Sequence, residues 1–535
     1  MPKALRVDLH KLARFINGVL YLLPLAFFAA GYYLSFYFHF LTVGSLFLLI
    51  VNLSYRHVQT QHTVLRNFGL IGQGRYLLES LGPELRQYLY SNDREERPFN
   101  RLERSNVYQK AKDIESAASY GSLLDYDARE LKLRHSFFPT PVERMRPFEL
   151  TVGKERGVVE PYTLSRPFMI SAMSFGAIGE NAIRALARGA ARAGIPMNTG
   201  EGGCPKYHLK EDADIIFQMG TAKFGVRTED GDLDEGLLKE IAEEPQVKMI
   251  EIKFSQGAKP GKGGMLPKEK ISREIAELRK IPMGKDIISP PYHRECTDLP
   301  STVVFIQHIQ DLVPVPVGIK LCVGSLDDIR ALVAEMKQQD TFPDWITVDG
   351  GEGGTGASPA AFIDSVGLPL FPALYGLVQI LEEAGVRDRL NVFASGKLID
   401  AGRQAIAFAL GADACYSARG FMLALGCIQA RECGQNTCPV GITTQDPKLQ
   451  SGLIVENKAR RVENYVNNTM KELDQLTTAM GKACPRELTV DDLYIPSGSN
   501  LWRMVCEEPF LKERFRPSPA PSDRASRPSP STHEN

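Results

Sequence analysis

Hydrophobic and polar positions divide the chain into three regimes. From Phe15 to Tyr55 no Asp, Glu, Lys or Arg occurs. As one helix this stretch would be about 60 Å long, twice the hydrocarbon thickness of a bilayer. Two passes fit better, from Asn17 to Phe36 and from Phe40 to Tyr55, turning around Phe36 to His39, where Tyr, Phe and His suit a membrane interface. Lys3, Arg6, Lys11 and Arg14 precede the pair, and Arg56 and Arg66 follow it. That bias predicts cytoplasmic flanks, and so a body tethered to the inner (cytoplasmic) membrane and facing the cytoplasm. A signal peptide would have a shorter apolar core ending at a small-residue cleavage site. A buried hairpin of a soluble fold is the other reading.

Residues 56–140 form the second regime, polar and broken by prolines, and read as a linker and cap. Gly82 to Tyr90 and Asn106 to Ala118 have helical periodicity, and Phe148 to Val152 resembles a strand. The third regime, 141–485, alternates short apolar runs with helical patterns from Pro167 onward. Strands are expected at Phe168–Met173, Ile195–Asn198, Ala222–Val226, Met249–Ser255, Val317–Leu321, Trp345–Asp349, Asn391–Ala394 and Ala414–Ser417. Helices are expected within Gly176–Gly194 and at Asp234–Glu243, Ser272–Arg279, Thr302–Ile309, Leu326–Gln338, Leu370–Glu383 and Ala401–Leu410. Eight strands alternating with helices predict an α/β fold closed into a (β/α)8 TIM barrel. An open doubly wound sheet competes, but no G-x-G-x-x-G follows a strand. Residues 486–515 read as a helical and loop extension, and 516–535, rich in Pro, Ser and charge, as a disordered tail.

Composition adds little. Hydrophobic residues make up 43% and charged residues 24%, ordinary for a protein with a large core. Lys plus Arg number 63 against 64 Asp plus Glu, so charge supplies no reason to expect a nucleic-acid partner.

Glycine-rich loops follow the strands, on the rim where barrel enzymes keep their chemistry. They are Ser174-Phe175-Gly176, Asn198 to Gly203 (including Glu201), Gln256 to Gly264, Asp349 to Gly356, Ser395-Gly396-Lys397 and Ala418-Arg419-Gly420. Any one of them could be a tight turn. Several on one rim point to backbone N–H groups gathered round an anion, with the last two loops forming a phosphate corner. Lys253 and Lys320 fall inside strands whose alternation points them into the barrel mouth. There a cation suits a reduced flavin or a substrate carboxylate, unless it snorkels to solvent. Glu201 or Glu352 is the expected counter-charge.

Cys427, Cys433 and Cys438, with Pro439 following, lie within one irregular segment, while Cys204, Cys296, Cys322, Cys415, Cys484 and Cys506 are scattered singly. The scatter suits a reduced compartment. Three close thiolates and a proline fit an iron–sulfur cluster better than a disulfide, with zinc on a distant fourth ligand or plain packing as alternatives.

The stretches P-F-M-I-S-A-M-S-F-G-A-I-G, N-T-G-E-G-G, Q-G-A-K-P-G-K-G-G, I-S-P-P, G-I-K-L, D-G-G-E-G-G-T-G-A-S-P and C-I-Q-A-R-E-C-G-Q-N-T-C-P-V-G-I-T-T-Q, in this order, resemble the FMN-binding synthase domain of glutamate synthase. The resemblance runs from about residue 140 to about residue 485. It implies a barrel holding FMN, with Cys427, Cys433 and Cys438 as ligands of a 3Fe-4S cluster. It also implies that Ser174, Lys320, Gly351, Gly353, Gly354, Thr355, Gly396 and Gly420 contact FMN. Lys253, Gln256, Lys259 and Lys270 fall where the family holds 2-oxoglutarate, and Glu201 stands beside them.

Departures from the family pattern bear on the nitrogen source. Nothing corresponds to the glutaminase domain or to the C-terminal β-helical domain, Lys262 stands where the family usually has Glu, and Gly179-Glu180-Asn181 is altered. The membrane hairpin is foreign to the large soluble enzyme. The resemblance therefore implies reductive amination of 2-oxoglutarate with ammonia that is free or comes from a glutaminase partner. Its electrons would come from a ferredoxin or a reductase subunit. An N-methylglutamate synthase type of subunit, using an amine, and a redox relay without turnover are the competing functions.

Overall fold

The computed structural model describes residues 9–114, 121–123, 131–496 and 502–504. It comprises two compact units, residues 1–101 and 102–535.

In the first unit, helices Leu9–Tyr33 and Phe38–Leu53 pair as a hairpin, the second running on through a wider turn to Val58. Both are long and apolar enough to cross a bilayer. The turn falls at Leu34 to Tyr37, two residues earlier than the expected Phe36 to His39, because Phe38 and His39 already belong to the second helix. Asn52 Nδ2 donates to Asn17 Oδ1 at 2.8 Å, and both side chains are buried. A hydrogen bond between two buried amides leaves neither paying its full desolvation cost. Helix Gln73–Leu85 follows and continues to Tyr90, so the helical reading of Gly82–Tyr90 holds but begins earlier in the chain.

The second unit opens within helix Arg101–Ala111, which starts five residues N-terminal to its expected start; 115–118 lie outside the described residues. Its centre is a closed barrel of eight parallel strands, a TIM barrel. The strands are β1 (Phe168–Ile170), β2 (Met197–Asn198), β3 (Ile215–Met219), β4 (Val247–Lys253), β5 (Val317–Leu321), β6 (Trp345–Asp349), β7 (Asn391–Ser395) and β8 (Ala414–Ser417), with β8 pairing back onto β1. The third differs from the expected Ala222–Val226. In that stretch Lys223 has φ 52° and Gly225 φ 89°, left-handed turns that no strand accommodates, whereas Ile215–Met219 is buried throughout. The expected barrel helices form at Glu180–Ala193, Glu235–Glu243, Arg273–Arg279, Leu299–Leu312, Leu326–Gln338, Leu370–Glu383 and Ala401–Ala409.

Strand alternation builds the interior in layers. Met169, Ile216, Met249, Trp345 and Phe393 form an apolar floor, closed from below by the antiparallel pair Leu150–Val152 and Tyr162–Leu164. One layer up, the fully buried Glu251 accepts from Asn198 Nδ2 at 2.9 Å, Gln218 Nε2 at 2.7 Å and Thr347 Oγ1 at 2.7 Å. The top layer carries Lys253, opposite Lys320 in register, and Asp349, opposite Ser395 in register.

Helix Val455–Ala479 was not among the expected elements; it packs on Glu180–Ala193. Among the described residues of the extension, two short 3₁₀ turns precede Leu493–Pro496, which pairs with Trp502–Met504 and Lys132–Leu133 in a small antiparallel sheet; 497–501 and 505–515 lie outside the described residues. The segment 516–535 lies outside the described residues.

Candidate active site

Lys253 ends β4 on the inward face and is buried. Its Nζ stands 3.0 Å from Glu201 Oε2, on the loop after β2, and donates to Gln256 Oε1 on its own loop. Three residues further, the buried Lys259 donates from Nζ to the Ala357 carbonyl at 2.9 Å. Burial, against the attraction of Glu201 and with repulsion from Lys253 and Lys262, brings the Lys259 ammonium down to a pKa of about 8. Burial on its own would raise the Glu201 carboxyl, but Lys253, Lys259 and Arg279 outweigh it and hold it below the usual carboxylate range. Glu201, Lys253, Gln256 and Lys262 line one cleft with Thr221 and Pro290.

Gly257 N donates to Asp349 Oδ2 at 2.8 Å, and a Cβ on Gly257 would run into the Gly350 carbonyl. The β4 and β6 loops therefore interlock through backbone. Lys320 Nζ is 3.7 Å from the same Asp349 Oδ2, whose other oxygen accepts from Ser395 Oγ at 2.6 Å. The counter-charges of the two mouth lysines are thus Glu201 and Asp349. Glu352 acts elsewhere, since its carboxylate accepts from Leu370 N at 3.0 Å and so caps helix Leu370–Glu383.

The phosphate-type corner is assembled after β7 and β8. Lys397 has a left-handed φ of 51°, and its half-buried ammonium is lowered by desolvation and by the neighbouring Arg419. Arg419 donates to the Glu352 carbonyl at 2.9 Å, and Gly354 is the residue whose Cβ would collide with it. Gly351, Gly353 and Gly396 line the same corner closely against Gly367, Gly350 and Leu370. At Gly420 a Cβ would strike the Tyr465 hydroxyl and Ser417 Oγ. Thr355 is half-buried on the β6 loop.

The three clustered cysteines line one recess with Met422, Pro439 and Thr443. No group of three His, Cys, Asp or Glu side chains among the described residues closes round a single metal ion. Left-handed backbone at Gln429, Arg431 and Asn436 keeps the segment irregular. Burial pushes the Cys427 thiol up to about 11. Burial acts the same way on Cys438, but the Thr443 hydroxyl and the N–H groups of Thr443, Val440 and Ile442 overcome it and bring that thiol below its ordinary value.

The recess is fastened to the barrel rim. Gln445 Nε2 donates to the Ile178 carbonyl at 3.0 Å, and Gly179 N donates to the Ile442 carbonyl at 2.9 Å. Lys270 belongs to this junction rather than to the Lys253 cleft. Its Nζ donates to the Ala177 carbonyl at 3.0 Å, and burial lowers it to about 8 against the pull of Cys433 and Cys438. On the β1 loop, Ser174 Oγ accepts from Arg279 at 3.4 Å. The buried Arg279 also donates to the Phe175 carbonyl and lies 5.1 Å from the Phe224 ring centroid. Its role was invisible in the sequence because a helix far along the chain supplies it.

Comparison with known proteins accords with this geometry. Residues 100–483 match a model described as a conserved region in glutamate synthase. A glutamate synthase large subunit-like protein of Bacillus subtilis, YerD, is 40% identical over 465 residues, covering 80% of this chain and 88% of that protein. The archaeal glutamate synthase [NADPH] of Methanocaldococcus jannaschii is 36% identical over 318 residues, 59% of each chain. An archaeal-type glutamate synthase [NADPH] of Thermotoga neapolitana is 37% identical over 335 residues, with 62% of this chain and 63% of that one matched. The match thus spans about three fifths of the length of these two enzymes. With a family match over most of its barrel unit and a bacterial relative aligned over 80% of this chain, this chain belongs to the glutamate synthase family of oxidoreductases.

Proposed function

We propose that the protein reductively aminates 2-oxoglutarate to L-glutamate at the mouth of the barrel, using FMN and an iron–sulfur cluster of the 3Fe-4S type. The observation that carries this reading is the convergence of Lys253, Lys259 and Gln256 beside Glu201. A five-carbon dicarboxylate brings two negative charges, and charge-assisted hydrogen bonds from two buried ammonium groups hold such a ligand in a fixed pose. The reaction consumes 2-oxoglutarate, ammonia, two electrons and two protons and releases glutamate and water.

The residues present fit both groups. Lys397, Arg419 and the loops carrying Gly351 to Thr355, Gly396 and Gly420 supply cations and close backbone for the FMN phosphate, and Lys320 with Ser174 would flank its ring. Cys427, Cys433 and Cys438 offer three sulfur ligands spread round one recess, with N–H donors and the Lys270 cation nearby. When bound, FMN supplies the two-electron reduction of the carbon that carries nitrogen, and the cluster supplies electrons one at a time.

Within the protein, Lys253 and Lys259 bind and orient the substrate carboxylates, and Gln256 fixes the Lys253 ammonium. Glu201 neutralises the empty site and is positioned to hold a proton as carbonyl oxygen leaves as water. The interlocked β4 and β6 loops exclude bulk solvent. Ammonia is taken free or from a glutaminase partner, and a ferredoxin or a reductase subunit delivers electrons. The apolar hairpin supports tethering to the cytoplasmic membrane with the barrel on the cytoplasmic side.

Anaerobic turnover of the purified, cluster-loaded protein with 2-oxoglutarate, ammonia and a chemical reductant tests the reading. Glutamate is expected on amino-acid analysis. A protein carrying both cofactors that forms none overturns it.

A further inference from the structure

The helix that follows the hairpin presents an apolar stripe whose leucines are exposed. Leu77, Leu81 and Leu85 recur every four residues and are 60%, 46% and 36% exposed, and Leu78 beside them is 64% exposed. The stripe continues through Leu89, 69% exposed. The other side carries Glu79, paired with Arg75, and Arg86. Such a division of faces needs a partner that is apolar along one side only.

The position of the helix identifies that partner. Leu70 N donates at 2.7 Å to Asn52 Oδ1, and Asn52 is bonded through its other amide atom to Asn17. Gly69, with φ 66°, lies so close to the Asn52 amide that any side chain there would collide with it. Asn17 is three residues inside the start of the first candidate span and Asn52 six residues before the end of the second. At 1.5 Å per residue these are depths of about 5 and 9 Å. The chain leaving the hairpin is therefore folded back and pinned at the end of the hairpin opposite its turn, and the amphipathic helix starts three residues later at Gln73.

We propose that helix Gln73–Leu85 and its continuation to Tyr90 lie in the headgroup region of the bilayer, with the leucine stripe against acyl chains. This rests on the reading of the hairpin as membrane-spanning. Tyr88 and Tyr90, 52% and 77% exposed, are the aromatic type that sits at that level. Arg75 and Arg86 are balanced by Glu79 and Glu84, so apolar burial rather than attraction to anionic lipid holds the helix down.

Tryptophan quenching in nanodiscs of pure phosphatidylcholine with brominated acyl chains tests this on the full chain. The variants are Leu81→Trp and Leu85→Trp on the stripe, Glu79→Trp on the polar side and Leu25→Trp within the hairpin, each read as emission added to the native background. Lipid bromine should quench the added emission of both stripe variants about twofold or more, as for side chains in the acyl boundary, and leave Glu79→Trp little changed. Replacing part of the phosphatidylcholine with phosphatidylglycerol should not alter the pattern. If Leu25→Trp is quenched while the stripe variants behave like Glu79→Trp, the helix is not interfacial although the hairpin is. Stripe variants shielded from both bromolipid and aqueous acrylamide would place protein over the stripe and overturn the proposal. An unquenched Leu25→Trp removes the hairpin and this inference together.

Discussion

Lys253 and Glu201, contributed by β4 and by the loop after β2, meet at 3.0 Å in the barrel mouth, and this pair neutralises a site that otherwise presents several cations. Glu201→Gln should therefore tighten 2-oxoglutarate, lowering its KM, while kcat falls and the apoprotein loses about 1–3 kcal/mol because a buried ammonium is left short of a partner. The stabilisation from the lowered Glu201 pKa is present at neutral pH and is lost as pH falls through the folded value. Steady-state kinetics and denaturant melts measure both effects, and a raised KM would remove the pairing role.

On the proposed reading, Lys259 carries the pH dependence of 2-oxoglutarate binding. Its folded pKa of about 8 lies below the ordinary value of 10.5, so the ammonium that grips a carboxylate is present below pH 8 and disappears above it. Affinity for 2-oxoglutarate should weaken as pH rises from 7 to 9. Stability moves oppositely: the cost of burying the charge applies below about 8 and fades toward 10.5. Lys259→Met should raise the dissociation constant about 10- to 100-fold at pH 7, the worth of one charge-assisted hydrogen bond, and flatten the profile measured by calorimetry.

Lys270 acts on the cysteine recess. Lys270→Met should lower the midpoint potential of the bound cluster, on the order of tens of millivolts, because a positive charge beside it is lost. Redox titration followed by electron paramagnetic resonance reads this without turnover. An unshifted potential combined with a raised KM for 2-oxoglutarate would move Lys270 to the substrate.

Cys433→Ser should abolish the visible absorption of the cluster and lower bound iron while far-ultraviolet circular dichroism stays native. Unchanged iron content would take Cys433 out of the ligand set.

Gly420→Ala should destabilise the protein by about 1–3 kcal/mol, because the added methyl group overpacks the Tyr465 hydroxyl. Tyr465→Phe in the same chain should recover part of the loss. If the single variant melts like the wild type, backbone proximity to a ligand, rather than packing, explains the glycine.

Much of this architecture could be read from the chain because parallel strands buried on both faces leave continuous apolar runs. The third strand was misplaced for a local reason. Ile215–Met219 contains Gln218, a barrel-interior residue serving Glu251, and lies directly before a turn that is itself apolar. Helix Val455–Ala479 escaped notice because its buried positions, such as Ala459, Val462, Val466 and Leu473, are sparse among charges. At the site, the lysines and cysteines were visible as residue types, while their partners were not. Asp349 and Arg279 become meaningful only when the barrel closes, and glycines such as Gly257 and Gly420 meet neighbours that sequence distance hides.

Two residues before Lys253 on the same inward face sits Glu251, held by uncharged donors beneath the mouth. The barrel bore is thus graded by polarity, with cationic side chains at the entrance, a hydrogen-bonded polar layer beneath them and an apolar floor below that. A ligand entering past the lysines meets side chains whose hydrogen bonds are already made to one another before it reaches the floor. The depth it can reach is then set by a polar network satisfied among its own members.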